Sequence, residues 1–365
     1  MTPEADRRFM ALAIALGARG LGQVWPNPAV GCIIVKDGRV IGRGWTQPGG
    51  RPHAEALALA QAGVAARGAT AFVSLEPCAH HGQTPPCATA LVAAGIVRVV
   101  SAIEDPDPRV KGKGHAMLTR AGIAVVCGVL AEAATEMQRG FLYRCRLGRP
   151  MLALKLATSL DGRIATASGE SRWITGPEAR RRVHLMRASH DAVLIGSGTA
   201  RADDPELTVR DMGVRRQPVR IVAAGRLDIP QDGALARSAG QVPLWLMHGP
   251  DAPVAVRASW TRLGARLIEV PGGPDGLDMM AALTALGAEG LTRVLCEGGG
   301  QLAAALLRQG LVDALALFSA GLVLGGDARA AIGSLALDRL TDARGFRLTE
   351  VSRVGTDTLS LWTKS

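Results

Sequence analysis

The chain has 365 residues, 48% of them hydrophobic and only 3% aromatic, with a formal charge of +10. At roughly 100–200 residues per domain, two domains are expected, with cores built from Ala, Val, Leu and Ile. No apolar run approaches the ~18–20 residues of a membrane span, and the charged opening MTPEADRRFM lacks an apolar stretch before a cleavage site, so no signal peptide is expected and the default compartment is the cytoplasm.

From the N-terminus, Glu4 to Arg19 carries apolar residues at helical spacing. Val30–Val35 and Val40–Gly44 read as strands joined by Lys36-Asp37-Gly38-Arg39, where the Asp-Gly pair signals a hairpin. A helix is expected over Pro52–Ala66 and a strand over Ala71–Leu75. A second helix, capped by Thr84 with Pro85 and Pro86 in its first turn, should run through Ala94. Val97–Ile103 reads as a strand, Gly114–Ala121 as a helix and Ala124–Cys127 as a strand. This alternation predicts an α/β/α sandwich of about five strands.

The pattern breaks at Arg146-Leu147-Gly148-Arg149-Pro150, which divides the chain into domains 1–147 and 148–365. Strands are expected at Met151–Ala157, Ala192–Ile195, Val219–Ala223, Pro243–Met247, Thr292–Cys296 and Ala314–Phe318. Helices are expected at Pro177–Ala188, Gly276–Leu286 and Gln301–Arg308, and Phe346–Val351 with Thr358–Thr363 as a closing hairpin. The second domain is therefore also α/β. Arg dominates the basic residues, and between Arg172 and Arg220 stand ten arginines, six acids and no lysine. The planar guanidinium fork suits phosphate, so a local phosphate site is favoured over a general nucleic-acid surface.

Six cysteines are dispersed through the chain, which argues against a disulfide framework. Cys32, Cys127 and Cys296 lie in apolar strand-like runs and read as core residues, and Cys145, between Arg144 and Arg146, as an ordinary thiol. Cys78 and Cys87 differ. Pro52-His53-Ala54-Glu55 is followed by Glu76-Pro77-Cys78 and then Cys87. One His and two Cys leave a fourth zinc position open, the arrangement of a catalytic rather than a structural site. Zinc lowers the pKa of a bound water, and a carboxylate that does not ligate the metal carries its proton to the leaving amine. Glu55 fits that role, one turn into the expected helix. The start of the second helix would help to hold the thiolates. Deaminase signatures commonly place two residues between the cysteines; here eight intervene, Ala79 to Pro86, a longer rim for the pocket.

On these residues the chain resembles the bifunctional riboflavin-biosynthesis deaminase/reductase family. The resemblance rests on Pro26-Asn27-Pro28-Ala29-Val30-Gly31, on Pro52-His53-Ala54-Glu55, on LEPCAHHGQTPPC (Leu75–Cys87) and on KLATSLDGRIA (Lys155–Ala165), and it spans essentially the whole chain. It implies a cytidine-deaminase-like N-terminal domain and a dihydrofolate-reductase-like C-terminal domain. It implies zinc-dependent loss of the ring 2-amino group from a diaminopyrimidinone bearing ribosylamine 5'-phosphate, then NADPH-dependent reduction of ribosyl to ribityl. Asn27 would hydrogen-bond substrate, although NPxVG is equally good turn chemistry. The family often has His at the positions of Thr46 and Leu57, and Lys or Arg at that of Gln83. Members commonly form homo-oligomers.

In the second domain, Glu297-Gly298-Gly299-Gly300-Gln301 follows a strand and opens a helix, so its glycines can bring free N–H groups to an anion. It is not the GxGxxG fingerprint, and a Rossmann fold is not supported. GSGTARADDPELTVR (Gly196–Arg210) joins small residues to arginines that can pair phosphate. By resemblance, Ala157, Trp173, Thr199, Asp203, Gly299, Gly300, Gln301, Leu302, Ala303, Ala304 and Ala305 would line the NADPH site. Ser171, Arg187, Leu207, Arg210 and Glu297 would hold substrate. The residues alone leave Trp173 open as core, Arg187 and Arg210 as solvated charges, and Lys155–Gly162 as a plain strand and turn. Where the family often has Asp-Ser, this chain has Ala224-Gly225. His115, His184, His190 and His248 read as structural, and His80 and His81 as residues of the pocket rim. Two rivals remain: a nucleic-acid base deaminase, opposed by the scarcity of stacking aromatics, and a zinc-stabilised scaffold without activity.

Overall fold

The computed structural model describes residues 2–79, 85–214, 216–273 and 276–365. It divides into two compact units, 1–148 and 149–365, each with its own main sheet.

The first unit opens with α1 (Pro3–Ala18), capped by the Thr2 hydroxyl. Its sheet contains β1 (Gly31–Lys36), β2 (Arg39–Trp45), β3 (Thr70–Val73), β4 (Arg98–Ser101) and β5 (Ala124–Cys127), in the order β2-β1-β3-β4-β5. Asp37 and Gly38 both take left-handed φ, 49° and 73°, as a two-residue turn between right-twisted strands requires. β1 pairs antiparallel with β2 and β3, while β3, β4 and β5 run parallel. Alternate residues of β1 feed two cores: Cys32 and Ile34 pack with Ala54, Ala58, Leu91 and Leu118 on one face, Ile33 and Val35 with Phe9, Met10 and Ala134 on the other. The helices α2 (Ala54–Ala62), α3 (Cys87–Ala93) and α4 (Lys113–Arg120) contribute to the first core, α1 to the second, and α5 (Ala131–Leu147) to both.

Several boundaries differ from expectation. α2 begins at Ala54, with His53 as its N-cap, so His53 and Glu55 lie at the helix entrance rather than one turn inside. α3 begins at Cys87 with Pro86 as its N-cap, so the prolines precede the helix; Thr84, His80, His81 and Gln83 lie outside the described residues. α5 was not anticipated. Cys127 ends the edge strand β5 and is exposed, not core, whereas Cys32 and Cys296 are buried as expected.

The second unit continues with β6 (Met151–Thr158), β7 (Arg163–Ala165), α6 (Pro177–Ala188), β8 (Ala192–Gly196), α7 (Ser197–Asp203), β9 (Val219–Ala223), α8 (Ala234–Arg237), β10 (Leu244–His248), α9 (Val254–Arg262), β11 (Arg266–Glu269), β12 (Gly272–Gly273), β13 (Gly276–Leu277), α10 (Met279–Ala288), β14 (Arg293–Cys296), α11 (Gly300–Arg308), β15 (Ala314–Ser319), β16 (Arg329–Ala330), β17 (Phe346–Val354) and β18 (Asp357–Lys364). The nine-stranded sheet has the order β11-β10-β9-β8-β14-β6-β15-β18-β17. Its strands from β11 to β15 are parallel, and the β17–β18 hairpin adds an antiparallel edge. The helix expected from Gly276 starts at Met279, where Asp278 accepts hydrogen bonds from the Met280 and Ala281 N–H groups. No helix among the described residues is long and apolar enough to cross a membrane.

Candidate active sites

In the first unit, close packing fixes the start of α2. A Cβ on Gly44 of β2 would stand 2.2 Å from the Ala54 carbonyl oxygen, so only glycine lets the helix entrance lie on the strand. His53 makes no side-chain capping bond. Its Nδ1 lies 3.3 Å from Cys87 Sγ and 3.7 Å from Cys78 Sγ. One nitrogen and two sulfurs on a tetrahedral zinc, at about 2.0–2.1 and 2.3 Å, stand roughly 3.6 Å apart along each N···S edge. The observed spacing therefore fits a zinc ion, and all three ligand atoms lie within 4.8 Å of one another.

The Cys87 N–H, at the first residue of α3, donates to Cys78 Sγ at 3.3 Å. Hydrogen bonding from the Cys87 thiol, with help from His53 and that N–H, outweighs burial and draws Cys78 down to about 4. Its hydrogen bond to Cys78 and its burial move the Cys87 thiol the other way. Glu55 is buried beside them, and burial, then the Cys78 charge, raise its carboxyl above the ordinary range. A buried carboxyl beside a cluster that could hold a metal is equipped to take up and release a proton.

Asn27 is pressed against the loop before His53: a Cβ on Gly50, whose φ is +86°, would meet its Nδ2 at 1.8 Å. Thr46 is buried and joins the strand ends, its Oγ1 accepting from the Val30 N–H at 3.0 Å. Leu57 is half-buried against Gly44. His115 does have neighbours at ligand distance, Glu76 and Glu104, which sequence separation concealed. Its Nε2 lies 2.8 Å from Ser101 Oγ and its Nδ1 3.9 Å from Glu76.

In the second unit the neighbouring central strands β8, β14 and β6 bring Gly196, Glu297 and Thr158 together at their carboxyl ends. Carboxyl ends of parallel strands are where open α/β sheets hold ligands. Gly299 caps α11 without a side-chain bond, and its N–H donates to Thr199 Oγ1 at 3.0 Å. A Cβ on Gly300 would stand 2.7 Å from the Ala330 carbonyl oxygen. Gln301 is exposed and Leu302 half-buried, whereas Ala303, Ala304 and Ala305 turn into the core. Trp173 is 68% exposed, which removes the core alternative; the Arg180 guanidinium lies 4.5 Å from its ring centre. The Arg172 guanidinium donates to the Asp203 carbonyl oxygen. Ser171 and Ala157 are half-buried.

Arg187 and Glu297 form a two-pronged pair at 2.6 and 3.0 Å, and Arg187 also donates to the Thr208 carbonyl oxygen at 2.9 Å. Three of the five guanidinium donors are thus committed. Burial pushes the Glu297 carboxyl up, but Arg187, Lys155 and His184 outweigh it and the net shift is downward. Arg210 is exposed and bonds Glu206 at 2.8 Å, while Leu207 is buried with φ of 57°. Lys155, which sequence reasoning quoted but gave no role, is half-buried among the charges of Glu297, Arg187 and Asp203, and desolvation lowers its pKa. Burial also raises Asp203. Strand alternation was the available signal: a lysine inside the apolar run Met151–Thr158 needs a polar reason.

Two family models match, the RibD C-terminal domain over residues 150–360 and the cytidine and deoxycytidylate deaminase zinc-binding region over residues 3–103. The chain is 43% identical to the riboflavin biosynthesis protein RibD of Escherichia coli over 364 residues, 96% of this chain and 97% of that one. It is 36% identical to that of Aquifex aeolicus, covering 98% of each. The solved structure of Acinetobacter baumannii RibD superposes with a TM-score of 0.90 at 38% identity, covering 100% of both chains. A diaminohydroxyphosphoribosylaminopyrimidine deaminase/5-amino-6-(5-phosphoribosylamino)uracil reductase from Thermotoga maritima superposes at 0.86 with 30% identity, covering 100% of this chain and 99% of that one. With similarity running through both halves, the chain belongs to the RibD family of riboflavin biosynthesis proteins.

Proposed function

We propose that the chain catalyses two successive steps of riboflavin biosynthesis. The first is hydrolytic deamination of 2,5-diamino-6-(5-phosphoribosylamino)pyrimidin-4-one. The second is NADPH-dependent reduction of the ribosyl side chain to ribityl, giving 5-amino-6-(5-phosphoribitylamino)uracil. The observation that carries this reading is the His53–Cys78–Cys87 triad beside buried Glu55, in a chain alike to RibD along its whole length.

In the first unit, His53 and the thiolates of Cys78 and Cys87 would hold zinc, which would supply a nucleophilic water at neutral pH. Glu55 would take up the proton released there and deliver it to the departing 2-amino group, so its raised affinity for a proton suits the transfer. Asn27, held against Gly50, hydrogen-bonds the pyrimidine.

In the second unit, NADPH would supply the hydride. Gly299, Gly300, Gln301 and Leu302 present the entrance of α11 to its phosphates, with Ala303, Ala304 and Ala305 as the packed floor beneath. Thr199 orients the Gly299 N–H, and Ala157, Asp203 and exposed Trp173 complete the cofactor wall. Ser171, Leu207, Arg210 and the Arg187–Glu297 pair hold the substrate. Arg210 is the arginine with more donors available for the ribose phosphate. Lys155 orients polar atoms of the substrate from within the same charge cluster.

Six cysteines without a disulfide pattern support a reducing, cytoplasmic setting, and self-association belongs to the same reading through the family resemblance. A coupled assay on the diaminopyrimidinone, with and without NADPH, tests both steps. Ammonia release without NADPH and NADPH oxidation after deamination are expected. Absence of either at saturating substrate removes that step.

A further inference from the structure

Glu76 lies two residues before Cys78, buried, in a cluster with Glu104 and His115. Its carboxylate is already saturated by backbone donors. Oε1 accepts from the N–H groups of Gly114 at 2.8 Å and His115 at 3.1 Å, and Oε2 from those of Gly112 at 3.0 Å and Asp105 at 3.2 Å. A carboxylate bonded in this way has little left to offer a cation, so the cluster is not a second metal site.

The donors show what the side chain does. Gly112 is the N-cap of α4 and has no side chain with which to cap it. Glu76, from the loop after β3, serves instead, closing the free N–H groups at the helix entrance. Its own N–H donates to the Ile103 carbonyl oxygen at 3.0 Å, beyond the end of β4. The next residue is also gripped, because a Cβ on Gly114 would stand 2.0 Å from the Pro77 carbonyl oxygen. Pro77 has a fixed φ, so little freedom remains between the anchored Glu76 and the sulfur of Cys78.

We propose that Glu76 is the positioning residue of the deaminase metal centre, locking the Glu76-Pro77-Cys78 segment onto the entrance of α4 so that Cys78 meets His53 and Cys87 at ligand distance. The inference rests on the reading that those three residues hold zinc. Outer partners of metal ligands are typically worth about 10–100-fold in metal affinity, and an effect of that size is expected here.

The test compares the full chain with Glu76→Gln, which keeps the shape but turns an amide towards backbone N–H groups, and with Glu76→Asp, which keeps the charge one methylene short. Zinc affinity is measured by chelator competition and ligand geometry by the absorption spectrum of the cobalt-loaded protein. Both are read at a temperature where circular dichroism shows the parent's helix content, with NADPH-dependent reduction as the control within the same chain. Zinc binding about 10–100-fold weaker in Glu76→Gln, an altered cobalt spectrum and a smaller loss in Glu76→Asp support the proposal. Parent-like zinc affinity and spectrum in a folded variant overturn it, as does a deaminase unit that fails to fold in both variants, since the carboxylate is then only a folding element. A parent chain that binds no zinc instead removes the metal-site reading beneath it.

Discussion

Glu55 and Arg187 illustrate two uses of a buried charge. Burial raises the Glu55 carboxyl, which suits a group that must accept and then give up a proton. Glu55→Gln keeps the shape and the three metal ligands but cannot relay the proton. It is expected to retain zinc, measured by elemental analysis, and to lose about 10²–10⁴-fold in deamination; undiminished turnover would refute the role. Arg187 and Glu297 are nearly buried, with side chains 13% and 10% exposed. Removing one partner of such a pair strands the other, so Arg187→Ala should cost about 3–5 kcal/mol in denaturant unfolding of the second unit, and adding Glu297→Gln should recover much of it. The folded Glu297 carboxyl is held below its unfolded value. Its stabilisation is therefore present above about pH 4.3 and is lost as pH falls through the lower folded value. At this scale the His53–Cys78–Cys87 cluster was legible because its residues sit in short motifs with particular chemistry. The association of Lys155 with Glu297, Arg187 and Asp203 was not, because the four come from β6, the end of β14, α6 and α7.

Elements were legible where local chemistry decides them. The Asp37-Gly38 turn and the β17–β18 hairpin follow from the turn residues and the strand pattern. α5 escaped because its N-cap is Leu130, in a left-handed conformation with no capping side chain, so the usual start signal is missing. The segment between β4 and α4 was also hidden, because its order depends on distant Glu76. Within it, burial raises Asp105 to about 6, and the Asp107 and Glu76 charges add to the shift against the Asp107 N–H. A carboxyl with a folded pKa above its unfolded value binds its proton more tightly when folded. Its charged form weighs against the fold above pH 6, by at most ~3 kcal/mol, and the penalty fades as pH falls towards 4. Acidification from pH 7.5 to about 5 should thus raise the melting temperature of the parent relative to Asp105→Asn, which lacks this titration. Parallel melting curves for the two proteins across that range would contradict the assignment.

Over the whole molecule, the α/β class of each half was readable from alternating periodicities, whereas strand order was not. β14 lies between β8 and β6, and in the chain about 100 residues separate it from β8; no local pattern encodes such a neighbour, because parallel pairing depends on crossovers and core packing. The halves carry separate cores, built around β1, β3 and α2 in one and around β8, β9 and β10 in the other. All three metal-ligating candidates, His53, Cys78 and Cys87, fall in the first unit, and the glycine-rich entrance of α11 in the second. Zinc removal should therefore divide the two activities. Dialysis against a chelator is expected to abolish ammonia release from the diaminopyrimidinone. NADPH oxidation with the deaminated intermediate supplied directly should continue at the rate of the zinc-loaded chain, and restored zinc should return the first activity alone. The first unit is a folded α/β/α sandwich with cores on both faces of its sheet, so losing the ion should leave that sheet and its cores folded. A reduction rate that fell in step with zinc content would mean instead that the second unit depends on the metal centre, and the assignment of one reaction to each unit would have to be abandoned.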